Sequence, residues 1–163
     1  MSNPLPYAVR PADAGDAPLV AACRREWAME RADRDAAVSD TAYPQRFERW
    51  WGATSAARRT WLALPQGADP QPVGMVNATV YPRMPSPGRP DASWAYVGQL
   101  WVAPSHRRRG LGRLLMVTLL DWARQEDMVR VVLNPSEMAR PLYAGLGFRS
   151  ADDLMRLDLH SPA

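Results

Sequence analysis

The spacing of apolar residues changes several times along this chain, and each change marks an element. Residues 7–10 read as a short strand, closed by Pro11, which has no N–H for a sheet ladder. Asp13 or Asp16 suits a helix N-cap, and a helix is predicted from there to about Met29 or Arg31, with Leu19, Cys23 and Trp27 sharing a face. Residues 33–43 are polar and read as loop. A second helix is predicted after Pro44, with Phe47, Trp50 and Trp51 to one side and Arg46, Arg49, Arg58 and Arg59 turned to solvent or a ligand. The period then falls to two. Residues 60–64 and 73–81 read as strands about a glycine–proline turn at 66–72, and Gly74 marks a bulge or a close backbone approach. Residues 82–90, with four prolines and one glycine, should form an irregular excursion between two strands.

The densest apolar stretch follows. Tyr96, Val97, Leu100, Trp101 and Val102 supply the aromatic and β-branched bulk of a buried strand over 91–102, and Pro104 ends it. After Arg107, Arg108, Arg109 and Gly110, apolar residues at Leu111, Leu114, Leu115, Leu119 and Trp122 recur at spacings of three and four, which predicts a helix over 111–125. Residues 129–133 read as another buried strand and 136–146 as a short helix around Pro141. Over 148–159, Leu154, Arg156 and Asp158 alternate with Met155, Leu157 and Leu159, which predicts a terminal strand or hairpin. The element order predicts one α/β domain over 1–163 with a mixed sheet.

Composition removes several function classes. The chain has 163 residues, 47% hydrophobic and 23% charged, which suits a globular domain with a real core. Its net charge is only +3, and all of its basic residues are arginine. The one dense basic cluster is Arg107, Arg108 and Arg109, so no basic stripe with interleaved aromatics points to nucleic acid. Cys23 is the only cysteine, which rules out an intramolecular disulfide and gives no cysteine metal site. The first residues do not resemble a signal peptide, and no apolar run is long enough for a membrane span. A cytoplasmic, metal-free protein is the expectation.

Residues 107–113 have the makings of an anion cradle. The first N–H groups of a helix lack intrahelical partners, and the helix dipole adds partial positive charge there. Gly110 and Gly112 let a phosphate approach the backbone, and Arg107, Arg108, Arg109 and Arg113 add full charges. The pattern Arg107-x-x-Gly110-x-Gly112 resembles the Q/R-x-x-G-x-G/A signature of the GNAT family of acetyl-coenzyme A dependent N-acetyltransferases. A second segment resembles that family's later motif, N-x-x-A-x-x-L-Y-x-x-x-G-F: Ala139, Leu142, Tyr143, Gly147 and Phe148 fall in place, with Ser136 where the family often has Asn. The order of elements is similar as well over a core of about 7–160, and the resemblance implies that family's fold, a mixed, mostly antiparallel central sheet flanked by helices.

The resemblance implies direct transfer of acetyl from acetyl-coenzyme A to an amine. It implies that Arg107 to Arg113, including Leu111, grip the coenzyme pyrophosphate. Backbone groups of Leu100, Trp101 and Val102 would polarise the thioester, and Asn134 and Ser136 would bond the coenzyme's amides. Tyr143 would protonate the leaving thiolate, as a phenol with a pKa near ~10 can at neutral pH. Many members carry a glutamate base on the central strand, but here the position is Gln99, which cannot accept a proton. Glu26 and Glu30 on the first helix are the leading substitutes, and Asp40 and Asp91 weaker ones. Trp27, Trp50 and Trp51 could recognise an alkylammonium through their ring faces. His106 and His160 read as incidental. A small-molecule amine is the expected acceptor, with a protein N-terminus or lysine, an aminoacyl-tRNA, or a non-catalytic acyl-coenzyme A module as the alternatives. Family members are often homodimers.

Overall fold

The computed structural model describes residues 6–30, 34–67 and 71–159. Five strands form one sheet in chain order: β1 (Tyr7–Pro11), β2 (Arg58–Pro65), β3 (Gly74–Pro82), β4 (Ser93–Val102) and β5 (Val131–Leu133). Pairing is antiparallel from β1 through β4, and β5 joins β4 in parallel. The helices are α1 (Ala17–Met29), α2 (Arg34–Ser39), α3 (Tyr43–Thr54), α4 (Leu111–Gln125) and α5 (Arg140–Ala144). This is the α/β domain with a mixed sheet that the element order predicts, and the mostly antiparallel pairing that the family resemblance implies.

The sheet buries both faces. On one, Trp61, Ala63, Val76, Ala78, Ala95 and Val97 pack on the Leu111, Leu115 and Leu119 stripe of α4. On the other, Leu62, Met75 and Trp101 pack on Val20, Cys23, Phe47 and Trp51 of α1 and α3. Alternate residues of β2 therefore serve opposite cores, as a period of two requires. Gly74 is a close-approach point: a Cβ there would lie 3.0 Å from Leu115 Cδ1 and 3.3 Å from Leu111 Cδ2.

The bulge lies elsewhere. β3 and β4 pair from Gly74↔Val102 to Asn77↔Gln99, then slip so that Ala78 faces Val97. Gly98 is the extra residue. One inserted residue reverses which face each later side chain takes. Ala95 and Val97 thus join the α4 core with Leu100 and Val102, while Trp101 joins the α1/α3 core and Gln99 lines a cavity beside it.

Two expectations need correction. Residues 34–39 form a helix, although their polar composition reads as loop; none of them is buried, so the apolar stripe that signals a helix is missing. Among the described residues of 148–159 there is no strand. The alternation over Leu154 to Leu159 finds no partner strand, and Met155 is 99% exposed. Phe148 does pack against the α4 core, edge-on to Tyr143 at 5.7 Å. Among the described residues no helix is long and apolar enough to cross a membrane.

Candidate active site

The parallel pairing of β4 with β5 is short. It covers Ala95↔Val131, Tyr96↔Val132 and Val97↔Leu133, then β5 stops. Among the described residues no strand lies along that edge over 98–102, where the Val102 carbonyl accepts from Arg107. The groove beside this edge is lined from the α4 side by Gly112, where a Cβ would lie 3.6 Å from Leu142 Cδ2, 3.8 Å from Val102 Cγ2 and 3.9 Å from Leu100 Cδ2. Leu100, Val102, the first turn of α4 and α5 therefore meet at one place. An extended, amide-bearing chain could pair there as an added edge.

At the end of this groove is the cradle. Gly110 caps α4 with φ +83, a left-handed conformation that glycine takes without strain. The first intrahelical bond runs from Leu114 N–H to Gly110 C=O at 3.0 Å, so the N–H groups of Leu111, Gly112 and Arg113 precede it. Arg108 has φ +60, which turns the loop just before the helix. Arg108 and Arg109 are exposed and make no hydrogen bond or ion pair among the described residues, so both charges are available to a phosphate.

Arg107 and Arg113 are engaged differently. Arg107 Nε donates to Val102 C=O at 2.8 Å, and its Nη2 pairs with Glu30 Oε2. The other Glu30 oxygen accepts from the Trp101 indole at 2.8 Å. Glu30 therefore ties the end of α1 to β4 and to the cradle loop. Burial alone would raise its carboxyl, but the bonds from Arg107 and Trp101 outweigh this and hold it below the usual carboxylate value. Arg113 Nη1 donates to Gly145 C=O at 3.2 Å, linking α4 to the end of α5. His106, read as incidental, bonds Tyr7 Oη through Nδ1 at 3.0 Å and fixes the loop to β1.

Gln99 opens into a cavity of about 380 Å³ between the sheet and α1/α3. The bulge at Gly98, Asn77 of β3, Trp50 of α3, Arg24 of α1 and Arg58 of β2 line it. Gln99 Oε1 accepts from Arg24 Nη1 at 2.9 Å, and its Nε2 is buried without a hydrogen-bond partner. Trp50 shows one ring face to the Arg58 guanidinium, 4.4 Å away, and Trp27 likewise carries Arg24 at 4.1 Å. Arginines of the chain itself thus cover the ring faces that the sequence reading offers to an alkylammonium. Trp51 is buried in the α1/α3 core.

The other carboxylates lie outside this cavity. Glu26 lines a separate hollow between α1 and α3 with Arg25, Tyr43 and Glu48. Asp40 is held by Arg46 through two bonds of 2.7 and 3.1 Å. Asp91 is exposed before β4. Tyr143 is buried on α5 and lines a hollow beyond β5 with Val132, Leu133 and Arg140, not the Gln99 cavity. Its phenol makes no hydrogen bond among the described residues, and burial pushes its pKa up, so it is protonated at neutral pH. Ser136 occupies an N-cap position but its hydroxyl makes no capping bond, and the Asn134 amide is exposed and unbonded among the described residues. His160 lies outside the described residues. Sequence reasoning missed the placing of Arg24, Arg58 and Asn77 together, for which the one signal was a glycine inside a strand, Gly98.

The comparisons with known proteins agree with this architecture. The sequence model described as acetyltransferase (GNAT) family matches residues 23–148. A glucosamine 6-phosphate N-acetyltransferase of Trypanosoma brucei brucei is 34% identical over 87 residues, 53% of this chain, and the chain spans 57% of that relative's length. A GCN5-related N-acetyltransferase from Ralstonia eutropha JMP134 superposes with a TM-score of 0.70 at 26% identity, covering 94% of this chain and 99% of that one. A predicted acetyltransferase from Clostridium acetobutylicum, solved with acetyl-CoA, gives a TM-score of 0.73 at 18% identity over 96% and 99% of the two chains, a likeness of fold. With the family's match running from α1 through the open β4 edge and the glycine cradle to Phe148, this chain belongs to the GNAT family of acetyltransferases.

Proposed function

We propose that this chain moves acetyl from acetyl-coenzyme A directly to the primary amine of a small molecule, at the β4 edge between the cradle and the Gln99 cavity. The observation that carries this reading is the run of β4 over 98–102, with no strand along that edge among the described residues, ending beside a helix N-terminus with open N–H groups and two available arginines. That combination suits a ligand with an extended amide arm and a phosphate end. A cavity of about 380 Å³ next to it suits a small acceptor. The relative of Trypanosoma brucei brucei is also named for a small amine.

Each residue then has a physical task. Arg108, Arg109 and the first N–H groups of α4 bind the pyrophosphate, and Arg107 holds their loop in shape through Glu30 and Val102. Backbone N–H groups in the Leu100–Val102 stretch donate toward the thioester oxygen, where negative charge develops. Asn134 and Ser136 have free side chains for the amide arm. The coenzyme supplies an acetyl group on a good leaving thiol. Tyr143 gives its phenolic proton to the departing sulfur, and the amine, now bonded to the acetyl carbon, loses one proton to water. Gln99 and Arg24 orient the acceptor; neither removes its proton. Glu30 acts as an anchor for the cradle.

Thiol release from acetyl-coenzyme A with a panel of small amines tests the reading. Tyr143→Phe should lower kcat by about a hundred- to ten-thousandfold with little change in coenzyme affinity. An unchanged kcat removes Tyr143 as the acid. Intact coenzyme binding without thiol release for any amine would make the chain an acyl-coenzyme A binding module.

A further inference from the structure

The wall of the Gln99 cavity carries two guanidinium groups and, among the described residues, no carboxylate. Arg58 is the more telling of the two. It is half-buried, and its hydrogen bonds go only to neutral groups: Thr54 Oγ1 at 3.3 Å, Thr79 Oγ1 at 2.8 Å and Asn77 Oδ1 at 3.4 Å. These use Nε and Nη1. Its Nη2 group donates to nothing among the described residues, and no acid pairs with it. Trp50 stacks on the guanidinium at 4.4 Å and holds its plane. Burial depresses the Arg58 pKa, as expected for a cation set into a wall without a counter-charge.

Gln99 supplies a second, independent sign. It is 9% exposed, and the Arg24 bond to its Oε1 orients the amide and leaves Nε2 buried with no acceptor. A buried donor left unsatisfied is costly, and so is a buried charge without a partner. Both deficits border one cavity, and both are relieved by the same kind of ligand group, one rich in acceptor lone pairs and negatively charged.

We propose that the acceptor amine also bears an anionic group, a phosphate or a carboxylate, which binds the Nη2 edge of Arg58 and the free amide donor of Gln99. The inference rests on the reading of this cleft as the transferase site and narrows its substrate class. Polycationic acceptors such as polyamines or aminoglycosides would instead meet two arginines of like charge.

The test is steady-state thiol release at constant ionic strength with matched acceptors: a hexosamine 6-phosphate against the hexosamine, an α-amino acid against its carboxamide, and a polyamine. Rates are expressed per free-base amine. The anionic member of at least one pair should have kcat/KM higher by about ten- to a hundredfold, through KM, with the polyamine poorest. A preference in the sugar pair alone assigns phosphate, and in the amino-acid pair alone carboxylate. Arg58→Gln should raise KM for the anionic acceptor by a similar factor and erase the preference, and Arg58→Lys should recover part of it. If Arg58→Gln does not fold, the matched pairs in the native protein decide alone. Neutral or polycationic amines acetylated as efficiently as anionic ones would overturn this inference and leave the transferase site standing. Turnover of none of them, with coenzyme binding intact, would remove both.

Discussion

Arg24 on the first helix donates to Gln99 on the central strand at 2.9 Å, across 75 positions of the chain. The contact fixes a neutral amide at the place where a proton acceptor is expected. Among the described residues no carboxylate lines the surrounding cavity. In the proposed reaction the attacking amine therefore arrives as free base or loses its proton to water. Below the acceptor's own pKa, kcat/KM should climb about tenfold per pH unit, and the inflection should move when an acceptor of lower amine pKa is used. An inflection that stays put for every acceptor would reveal a protein group acting as base.

Glu30 offers a sharper test, because it is one of the two leading candidates for the base and is bonded to Trp101 and Arg107. Glu30→Gln should loosen the cradle loop. KM for acetyl-coenzyme A is expected to rise by about three- to tenfold, with kcat nearly constant, as loss of one partly exposed ion pair would give. A fall in kcat of a hundredfold with coenzyme affinity intact would restore Glu30 as a base.

Gly110 and Gly112 should respond differently to the same substitution. Gly110 has φ +83, so Gly110→Ala should cost about 1–2 kcal/mol of stability. At Gly112 a Cβ meets only ordinary contacts, 3.6 Å from Leu142 Cδ2 being the nearest. Gly112→Ala should fold as well as the native chain or gain up to about 1 kcal/mol from helix propensity. It should still weaken coenzyme binding, and Gly112→Asp should abolish it. Thermal unfolding and calorimetric titration separate the two effects. Full affinity in Gly112→Asp would remove the cradle.

Asp16 joins β1 to α1. Arg10 forks onto both its oxygens at 2.6 and 2.7 Å, and Asp13 N–H donates at 2.8 Å. The Arg10 hydrogen bond, against the opposing effect of burial, lowers the Asp16 pKa. The folded pKa is thus below the unfolded one, so this stabilisation is full above about pH 4 and is lost as pH falls through the folded value. Asp16→Asn should destabilise the fold by about 1–3 kcal/mol at pH 7 and by less at pH 3, measured by urea unfolding. Equal losses at both pH values would show that the charge is immaterial.

Local patterning carried most of the architecture. Leu111 to Trp122 reads as a helix because Leu111, Leu115, Leu119 and Trp122 sit three or four places apart. The short apolar runs at 60–64 and 73–81, set off by a glycine–proline turn, suit strands, and Pro11, Pro104 and Pro141 punctuate elements through chemistry confined to one or two residues. The cradle was legible for the same reason, since Arg107 to Gly112 is contiguous. The exposed helix at 34–39 escaped because it buries nothing, and the alternation at 154–159 misled because a strand needs a partner edge that periodicity cannot report.

The acceptor side depended on long-range geometry. Only the pairing of β4 with β3 shows one residue too many at Gly98, which turns Gln99 and Trp101 away from α4 and toward α1 and α3. Arg24, Arg58 and Asn77 come from three different elements and meet Gln99 only once the sheet and helices pack. Glu30 changed from candidate base to anchor because Arg107, 77 positions away, closes on it. Short-range steric and hydrogen-bonding rules were enough for the loop and helix start proposed to hold the coenzyme. The charge and shape of the cavity proposed for the acceptor are sums over distant side chains, and only the packed fold brings those terms together.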